Sequence, residues 1–227
     1  MKISGSGRLS EGTINDELAV SGSAKIEGNF ECNGFRSSGS LRGEGDLIVH
    51  GDVRSSGSFK LRGSLRGDGN FRSSGSASID GETIIHGTLS SSGSLRLGNK
   101  AEALQGVRSS GSFHIQGELL SHKIIEIEGT LTAENDIKGE DVFFGTTLVR
   151  ARKIFKHPFR IFGSILAKNR IDITGARVEQ DVKGRHVIIG RGTEVLGTVY
   201  YVETIEVHKQ ANLSNEPIQI KVEDLGF

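Results

Sequence analysis

Residues 35–58 read FRSSGSLRGEGDLIVHGDVRSSGS, and this stretch decides the fold. Its pentad RSSGS recurs along the chain, always 18 residues after the previous slot. The copies lie at 36–40, 54–58, 72–76 and 108–112, and SSSGS occupies the remaining slot at 90–94. A fixed internal period of this length indicates a stacked repeat architecture.

Each 18-residue unit divides into three hexads, and glycine is the fifth residue of ten consecutive hexads from Gly39 to Gly93. The first and third residues of a hexad are mostly apolar or small, whereas the second, fourth and sixth are mostly polar. Alternation with period two is typical of a strand with one buried face. Glycine supplies tight corners with φ above zero, and the chain has only 2 prolines to interrupt hydrogen-bonded ladders.

Three short strands with a corner after each return the chain above its starting point, about 4.8 Å further along the axis. The sequence therefore predicts an all-β, single-domain, three-sided parallel β-helix with about 18 residues per turn. Some twelve turns would make a rod roughly 60 Å long. We assign residues 1–19 to an N-terminal cap or first turn, 20–213 to the β-helix and 214–227 to a C-terminal tail or cap strand.

The coil predicts columns of stacked side chains. The inward columns are Phe35, Val53, Phe71, Leu89 and Val107; Leu41, Phe59, Ala77, Leu95 and Phe113; and Leu61, Ile79, Leu97 and Ile115. Ser37, Ser55, Ser73, Ser91 and Ser109 form an inward hydroxyl column, in which each hydroxyl could bond its neighbour or the backbone. Cys32 also falls on an inward place. The segment FKHPF, residues 155–159, is predicted to be a loop out of register.

Composition excludes several classes of protein. Lys plus Arg and Asp plus Glu both number 28, so no net field draws the chain to nucleic acid or anionic lipid. A single cysteine allows no disulfide within the chain and is typical of a reducing compartment. The sequence has no signal-peptide pattern, no run of roughly 18 apolar residues and no GK[ST] motif. We therefore expect a cytoplasmic protein without cofactor, metal site or catalytic residues.

Each end of a β-helix leaves unpaired backbone groups above an open core, and such edges pair with other chains unless covered. The residues predicted to form these assembly ends are Ile14, Leu18, Val20, Val199, Tyr201, Ile205, Val207 and Leu213. The alternative is that residues 1–10 and the tail PIQIKVEDLGF fold back as caps.

Three outward columns have open interpretations. Ile48, Ile84 and Leu120 are either a lateral contact strip or scattered surface hydrophobics. The second column contains His50, His86 and His122, with Asp68 between the first two. The backbones of successive histidines are about 9.6 Å apart, which is too far for ligands of one zinc ion, so solvated side chains are favoured. Arg36, Arg54, Arg72 and Arg108 form either a solvated face or a surface for an acidic partner or polyanion, without the outward aromatics that nucleic acid would favour.

The run VEQDVKGRHVIIGRGTEVLGTVYYVETIEVHKQANL, residues 178–213, resembles the short G-x-V and V-x-I-G units of the bactofilins, a bacterial polymer-forming cytoskeletal family. IEGTL at 127–131 and FGSIL at 162–166 extend the resemblance. It implies a right-handed β-helix that polymerises end to end, with itself or a paralogous bactofilin, as a scaffold for envelope, shape or motility machinery. The chain has no apolar N-terminal segment, so membrane association, peripheral to the inner face of the cell membrane, would be indirect or weak.

The alternative is a hexapeptide-type acyltransferase, whose β-helix also uses 18-residue turns. In that class a histidine removes the proton of the acceptor hydroxyl, and loops build the acyl-donor cleft. His157 in FKHPF would be the general base. The sequence shows no long excursion from the coil and no helical C-terminal cap, which favours the structural protein.

Overall fold

The computed structural model describes residues 1–145 and 157–226, and these residues form one parallel β-helix. The strands fall into three ladders, one for each side of the coil, and strands in a ladder pair in parallel with the turns before and after. There are about twelve turns. The predicted all-β, three-sided coil of about 18 residues per turn is therefore confirmed.

The strands are short, and most of them contain three or four residues. They are β1 (Lys2–Ile3), β2 (Ser6–Val20), β3 (Ser23–Ser37), β4 (Ser40–Gly43), β5 (Leu47–Val49), β6 (Val53–Ser55), β7 (Ser58–Leu61), β8 (Leu65–Gly67), β9 (Phe71–Ser73), β10 (Ser76–Ile79), β11 (Thr83–Ile85), β12 (Thr88–Ser91), β13 (Ser94–Leu97), β14 (Ala101–Ala103), β15 (Gly106–Ser109), β16 (Ser112–Ile115), β17 (Leu119–Ser121), β18 (Ile124–Ile127), β19 (Thr130–Ala133), β20 (Ile137–Phe144), β21 (Phe159–Ile161), β22 (Ile165–Ile173), β23 (Ala176–Val178), β24 (Val182–Ile189), β25 (Glu194–Val195), β26 (Val199–Val207), β27 (Asn212–Leu213) and β28 (Ile218–Gln219). A 3₁₀ helix follows at Val222–Leu225.

The register is 18 residues through the regular repeat, where Val53 pairs with Phe71 and Phe71 with Leu89. Near the N-terminus the spacing is 17, as where Ala24 pairs with Leu41, so the alternation of inward and outward residues there is one residue out of step with the later repeats. Leu131 pairs with Phe159, a spacing of 28, so this turn has ten residues more than an 18-residue turn (28 − 18). Phe159 is thus already back in register within β21, whereas residues 155 and 156 of the predicted loop lie outside the described residues.

The predicted inward columns form the core. Phe35, Val53 and Phe71 are almost completely buried, and the ring of Phe59 makes edge-on contacts with Phe35 and Phe71 at centroid distances of 5.5 and 6.4 Å. Each such side chain gains about 1.5–3 kcal/mol from burial. Cys32 is fully buried, as predicted.

The hydroxyl column behaves differently from the prediction. The hydroxyls of Ser55, Ser73, Ser91 and Ser109 are buried and have no hydrogen-bond partner among the described residues. The reason is the spacing of the coil: stacked serines repeat at about 4.8 Å, beyond the roughly 2.8 Å of a hydroxyl hydrogen bond. The predicted inward position of the serine column is confirmed, and only the hydrogen bonds suggested for its hydroxyls are missing at these four positions among the described residues.

The corner glycines also have a different role from the one expected. Gly39, Gly57 and Gly75 do not have positive φ. A Cβ on Gly57 would lie 2.7 Å from the carbonyl oxygen of Ser38 in the previous turn, and closer still to that of Gly39. Glycine is therefore needed because successive corners stack backbone on backbone, and the explanation through positive φ is wrong here.

Polar side chains at other corners bind the backbone of the next turn. The Asp52 carboxylate accepts a hydrogen bond from the Asn70 backbone N–H at 2.9 Å, and the Asn70 side-chain oxygen accepts one from Thr88 N–H at 3.0 Å. Asp46 accepts from Ser64 N–H at 2.7 Å in the same way. These bonds satisfy corner N–H groups that would otherwise lack a partner.

Candidate functional site

The N-terminal end of the coil is an open strand edge. β1 pairs with Ala19 and Val20, but the remainder of β2 has no strand on its outer side among the described residues. Of the predicted end residues, Leu18 and Val20 are buried and Ile14 is only partly buried. Leu18 and Val20 therefore belong to the core beneath the end surface.

Ile3 and Leu9 join Ile14 as partly covered aliphatic side chains at this end. Neither residue was among the end residues predicted from the sequence. The signal was present, because Ile3 and Leu9 stand 17 residues before the inward residues Val20 and Ile26, with which they pair.

The first turn is also irregular and acidic. Its pairing with β3 shifts register between Ser10 and Gly12 and again between Ile14 and Glu17. Glu11 and Asp16 are exposed along the same turn. Bulges and charges are the usual means by which an exposed edge avoids indiscriminate pairing. Only a partner of matching shape and charge would fit this edge.

The C-terminal end is partly covered by the tail. β28 pairs with Tyr200 and Tyr201 of β26, and the 3₁₀ helix lies near β24 and buries Leu225. Thr204–Val207 has no strand on its outer side within the described part of the chain. β27 likewise pairs only with β25 among the described residues, so this end is open along Thr204–Val207 and along β27.

The predicted residues at the C-terminal end differ in exposure. Val199 is fully buried, because β28 lies over the neighbouring part of β26, so it belongs to the core. The side chains of Tyr201, Ile205 and Leu213 are partly buried, and Val207 is 44% exposed. Two further exposed aliphatic residues at this end, Ile218 and Val222, come from the tail and were not anticipated.

The lateral strip is discontinuous. Ile48 is 38% exposed, and Ile84 and Leu120 are partly exposed, so all three face outward. However, Arg66 lies between Ile48 and Ile84 in the ladder, and Glu102 lies between Ile84 and Leu120. Aliphatic and charged residues alternate at each turn, so these three positions are isolated from one another by charge.

The outward histidines are paired with carboxylates. His50 lies 2.6 Å from Glu31 and 3.0 Å from Asp68, and these hydrogen bonds raise the pKa of His50, that of Glu31 contributing most. His86 contacts the other oxygen of Asp68 at 3.1 Å. Across residues 1–145 and 157–226, no three or more His, Cys, Asp or Glu side chains are grouped as metal ligands.

His157 occupies a half-enclosed position beside the turn that carries ten additional residues. Its side chain is 11% exposed, and its Nε2 lies 3.6 Å from the Glu194 carboxylate, which also accepts a hydrogen bond from Arg177 at 3.0 Å. A pocket of about 360 Å³ is lined by His157, Arg160, Phe162 and Arg177, among others. A histidine beside a carboxylate is a common arrangement in general acid–base catalysis, so this pocket is a candidate site for such chemistry.

In the described residues the one helical element is the 3₁₀ turn, and no helix has the length and hydropathy to cross a bilayer. Family models, curated proteins and solved structures were all compared with this chain, and none of them matches it.

Proposed function

We propose that this chain is a non-enzymatic structural subunit that assembles end to end by stacking of β-helices. The observation that carries the proposal is the state of the two ends: each has unpaired parallel strand edges beside partly covered aliphatic side chains. At the N-terminal end these are Ile3, Leu9 and Ile14, and at the C-terminal end Ile205, Val207 and Leu213.

Stacking would extend both interactions that hold one turn to the next. A second subunit would continue the hydrogen-bonded ladders, and it would cover aliphatic side chains at about 1.5–3 kcal/mol for each one fully buried. Repeat proteins that remain monomeric usually end in units with a polar outer face. The C-terminal end of this chain instead exposes three aliphatic side chains, Val207, Ile218 and Val222, beside charged residues such as Glu206 and Lys209.

The resemblance to bactofilins supports the same proposal and gives it a setting. In that setting the β-helix is right-handed, and the subunit joins itself or a paralogous bactofilin in the cytoplasm, without nucleotide. The resulting polymer would be a scaffold for envelope, shape or motility machinery, and its contact with the membrane would be indirect or weak. The corresponding run, residues 178–213, forms the last regular turns of the coil next to the C-terminal end.

The test compares two lysine substitutions of equally exposed apolar residues. Val207 at the C-terminal end and Phe162 on the side of the coil are each 44% exposed. We expect wild type and Phe162→Lys to form polymers in sedimentation velocity and negative-stain microscopy, and Val207→Lys to remain monomeric, because a buried ammonium group would be uncompensated. A wild-type chain that stays a monodisperse monomer at high concentration would refute the proposal, and so would equal disruption by both substitutions.

The surroundings of His157 support a second candidate, a hexapeptide-type acyltransferase. In that reaction His157 would accept the proton of an acceptor hydroxyl as its oxygen attacks a thioester carbonyl, and the thiol would leave with a proton. The experiment is acyl transfer from acyl-CoA to a panel of hydroxyl and amine acceptors, with His157→Ala and the surface substitution His186→Ala as a control. Transfer that His157→Ala abolishes and His186→Ala leaves intact would replace the structural proposal by the enzymatic one.

A further inference from the structure

A groove runs lengthwise along the corner formed by the RSSGS repeats. It has a volume of about 650 Å³. Its lining consists mostly of arginine and serine side chains, among them Arg36, Arg54, Arg72, Arg108, Ser38, Ser56, Ser74, Ser92 and Ser110. The five turns that contribute arginines or serines span about 19 Å, four strand spacings of about 4.8 Å, and the next turn adds Glu126 and Glu128 at one end.

The face that contains the groove is strongly basic, although the whole chain is neutral. Residues 35–42 and 53–60 have two Lys or Arg each, and residues 71–78, 89–96 and 107–114 have one each, so the five segments contain seven. The same segments contain no Asp or Glu. The repeat therefore concentrates basic residues in these segments, and the carboxylates that pair with them, Glu17, Asp52 and Glu126, come from outside the segments.

The arginines are available to a ligand. Three of them form ion pairs: Arg36 with Glu17, Arg54 with Asp52 at 2.8 Å, and Arg108 with Glu126 at 3.1 Å. These three arginine side chains are nevertheless 55–61% exposed. Exposed ion pairs contribute little net free energy, so a ligand carboxylate can replace the internal one. Arg72, in the middle of the groove, forms no ion pair with any described residue.

We propose that this groove binds an extended acidic segment of a partner protein. Clustered arginines recognise acidic peptide motifs through charge-assisted, bidentate hydrogen bonds to carboxylates. Among the described residues no aromatic side chain lines the groove, whereas proteins that bind single-stranded nucleic acid generally stack bases on aromatic rings. The geometry and charge therefore favour carboxylates on a flexible polypeptide.

The dimensions set the length of the segment and where it stops. An extended peptide advances about 3.3 Å per residue, so about six residues span the groove. Glu126 and Glu128 line its far end, after Arg108, and would repel further carboxylates. This site lies on the side of the coil, so the inference does not depend on end-to-end assembly.

The experiment uses the full chain and a fluorescein-labelled peptide of about eight glutamates, long enough to span the groove. Fluorescence anisotropy measures its affinity, with a glutamine peptide of equal length as the uncharged probe. The groove variant is Arg54→Gln/Arg72→Gln, and the matched control is Arg62→Gln/Arg66→Gln, which removes the same charge from two exposed arginines outside the groove.

We expect the glutamate peptide to bind wild type and the control within about twofold of each other, and the groove variant at least about tenfold more weakly, because contacts to two guanidinium groups are lost. Binding should weaken at high ionic strength, and the glutamine peptide should not bind. Ser74→Glu, which adds a carboxylate to the exposed wall without removing an arginine, should also abolish binding while circular dichroism stays unchanged.

Several results would overturn the proposal. One is a wild-type chain that does not bind the glutamate peptide, and another is equal loss of affinity in the groove and control variants. Tighter binding of inorganic polyphosphate or single-stranded DNA of equal charge would assign the groove to a different class of polyanion. A Ser74→Glu variant that binds as well as wild type would place the peptide elsewhere on the surface.

Discussion

The stacking of the corners makes Gly75 the most informative single position in the coil. Gly75 lies in the corner column directly over Gly57, and the substitution Gly75→Ala adds one methyl group. That Cβ would lie 2.5 Å from the carbonyl oxygen of Ser56, and closer still to that of Gly57. Neither atom belongs to a movable side chain, so only a shift of the backbone can relieve the overlap.

The cost can be worked out from the contacts at this corner. Ser76 N–H donates to the Gly57 carbonyl at 3.1 Å, and Ser94 N–H donates to the Gly75 carbonyl at 3.0 Å. Overpacking alone costs about 1–3 kcal/mol, and one buried hydrogen bond left unmade costs about 1–3 kcal/mol more. We therefore expect a loss of about 3 kcal/mol or more, a large part of the roughly 5–15 kcal/mol that stabilises an ordinary domain.

The assay is equilibrium unfolding in guanidinium chloride followed by far-UV circular dichroism. The matched control is Gly34→Ala, because the Cβ there would have its closest contact at 3.4 Å, with the Glu17 side chain. Gly34 does not have positive φ, so alanine is tolerated by its backbone, and the control should stay within about 1 kcal/mol of wild type. If Gly75→Ala unfolds at the wild-type midpoint, or Gly34→Ala is equally damaging, the explanation of the corner glycines by backbone stacking is wrong.

Three further predictions concern titration and reactivity. The pKa of His50 is raised, so its pairing with Glu31 and Asp68 stabilises the fold at low pH, and this stabilisation is lost as pH rises through the folded-state pKa. An NMR titration should therefore give His50 a higher pKa in wild type than in the Glu31→Gln variant. The pKa of Asp52 is lowered by its hydrogen bond from Asn70 N–H and by Arg54, so its contribution to the stability of the fold is lost as pH falls through the folded-state pKa. The free energy of unfolding of Asp52→Ala should therefore depend less on pH than that of wild type below about pH 4. Burial raises the pKa of the Cys32 thiol to about 11, so a maleimide should label the native protein far more slowly than the unfolded chain, and rapid native labelling would contradict the buried position.

The period of the sequence was sufficient to predict the coil, because a strict spacing of 18 with alternating polarity fixes both the turn length and the inward face. Phe35, Val53 and Phe71 stack as expected and are buried. The same spacing placed Cys32 in the core and the arginines outside.

Other features depend on distances that a period does not contain. The stacking role of Gly57 requires knowing how close two corners approach, and the unbonded hydroxyl of Ser73 requires the spacing between turns. The burial of Leu18 and Val199 depends on which residues pair over them at each end. The sequence could place residues near an end, but it could not separate the surface of that end from the layer below.

Gly5 connects the corner glycines to assembly. It begins the same column, because a Cβ on Gly22 would lie 2.7 Å from the Ser4 carbonyl oxygen and closer to that of Gly5. No atom of residues 1–145 or 157–226 lies within 4 Å of the Cβ position of Gly5, and its φ is not positive, so this part of a single chain does not require glycine there. A second subunit stacked in register would require it, because its corner would supply the missing carbonyl.

We therefore expect Gly5→Ala to leave the unfolding midpoint of the monomer unchanged or to raise its stability by about 0.4–1 kcal/mol, while assembly shifts to higher concentration. A concentration series in sedimentation velocity, with Gly34→Ala as the control, measures the shift. Assembly of Gly5→Ala at the wild-type concentration would show that the N-terminal corner does not stack on another subunit, whatever the other end does. Loss of assembly with an intact monomer would instead identify this corner as part of the contact, since the added methyl group touches no atom of the part of its own chain that the structure describes.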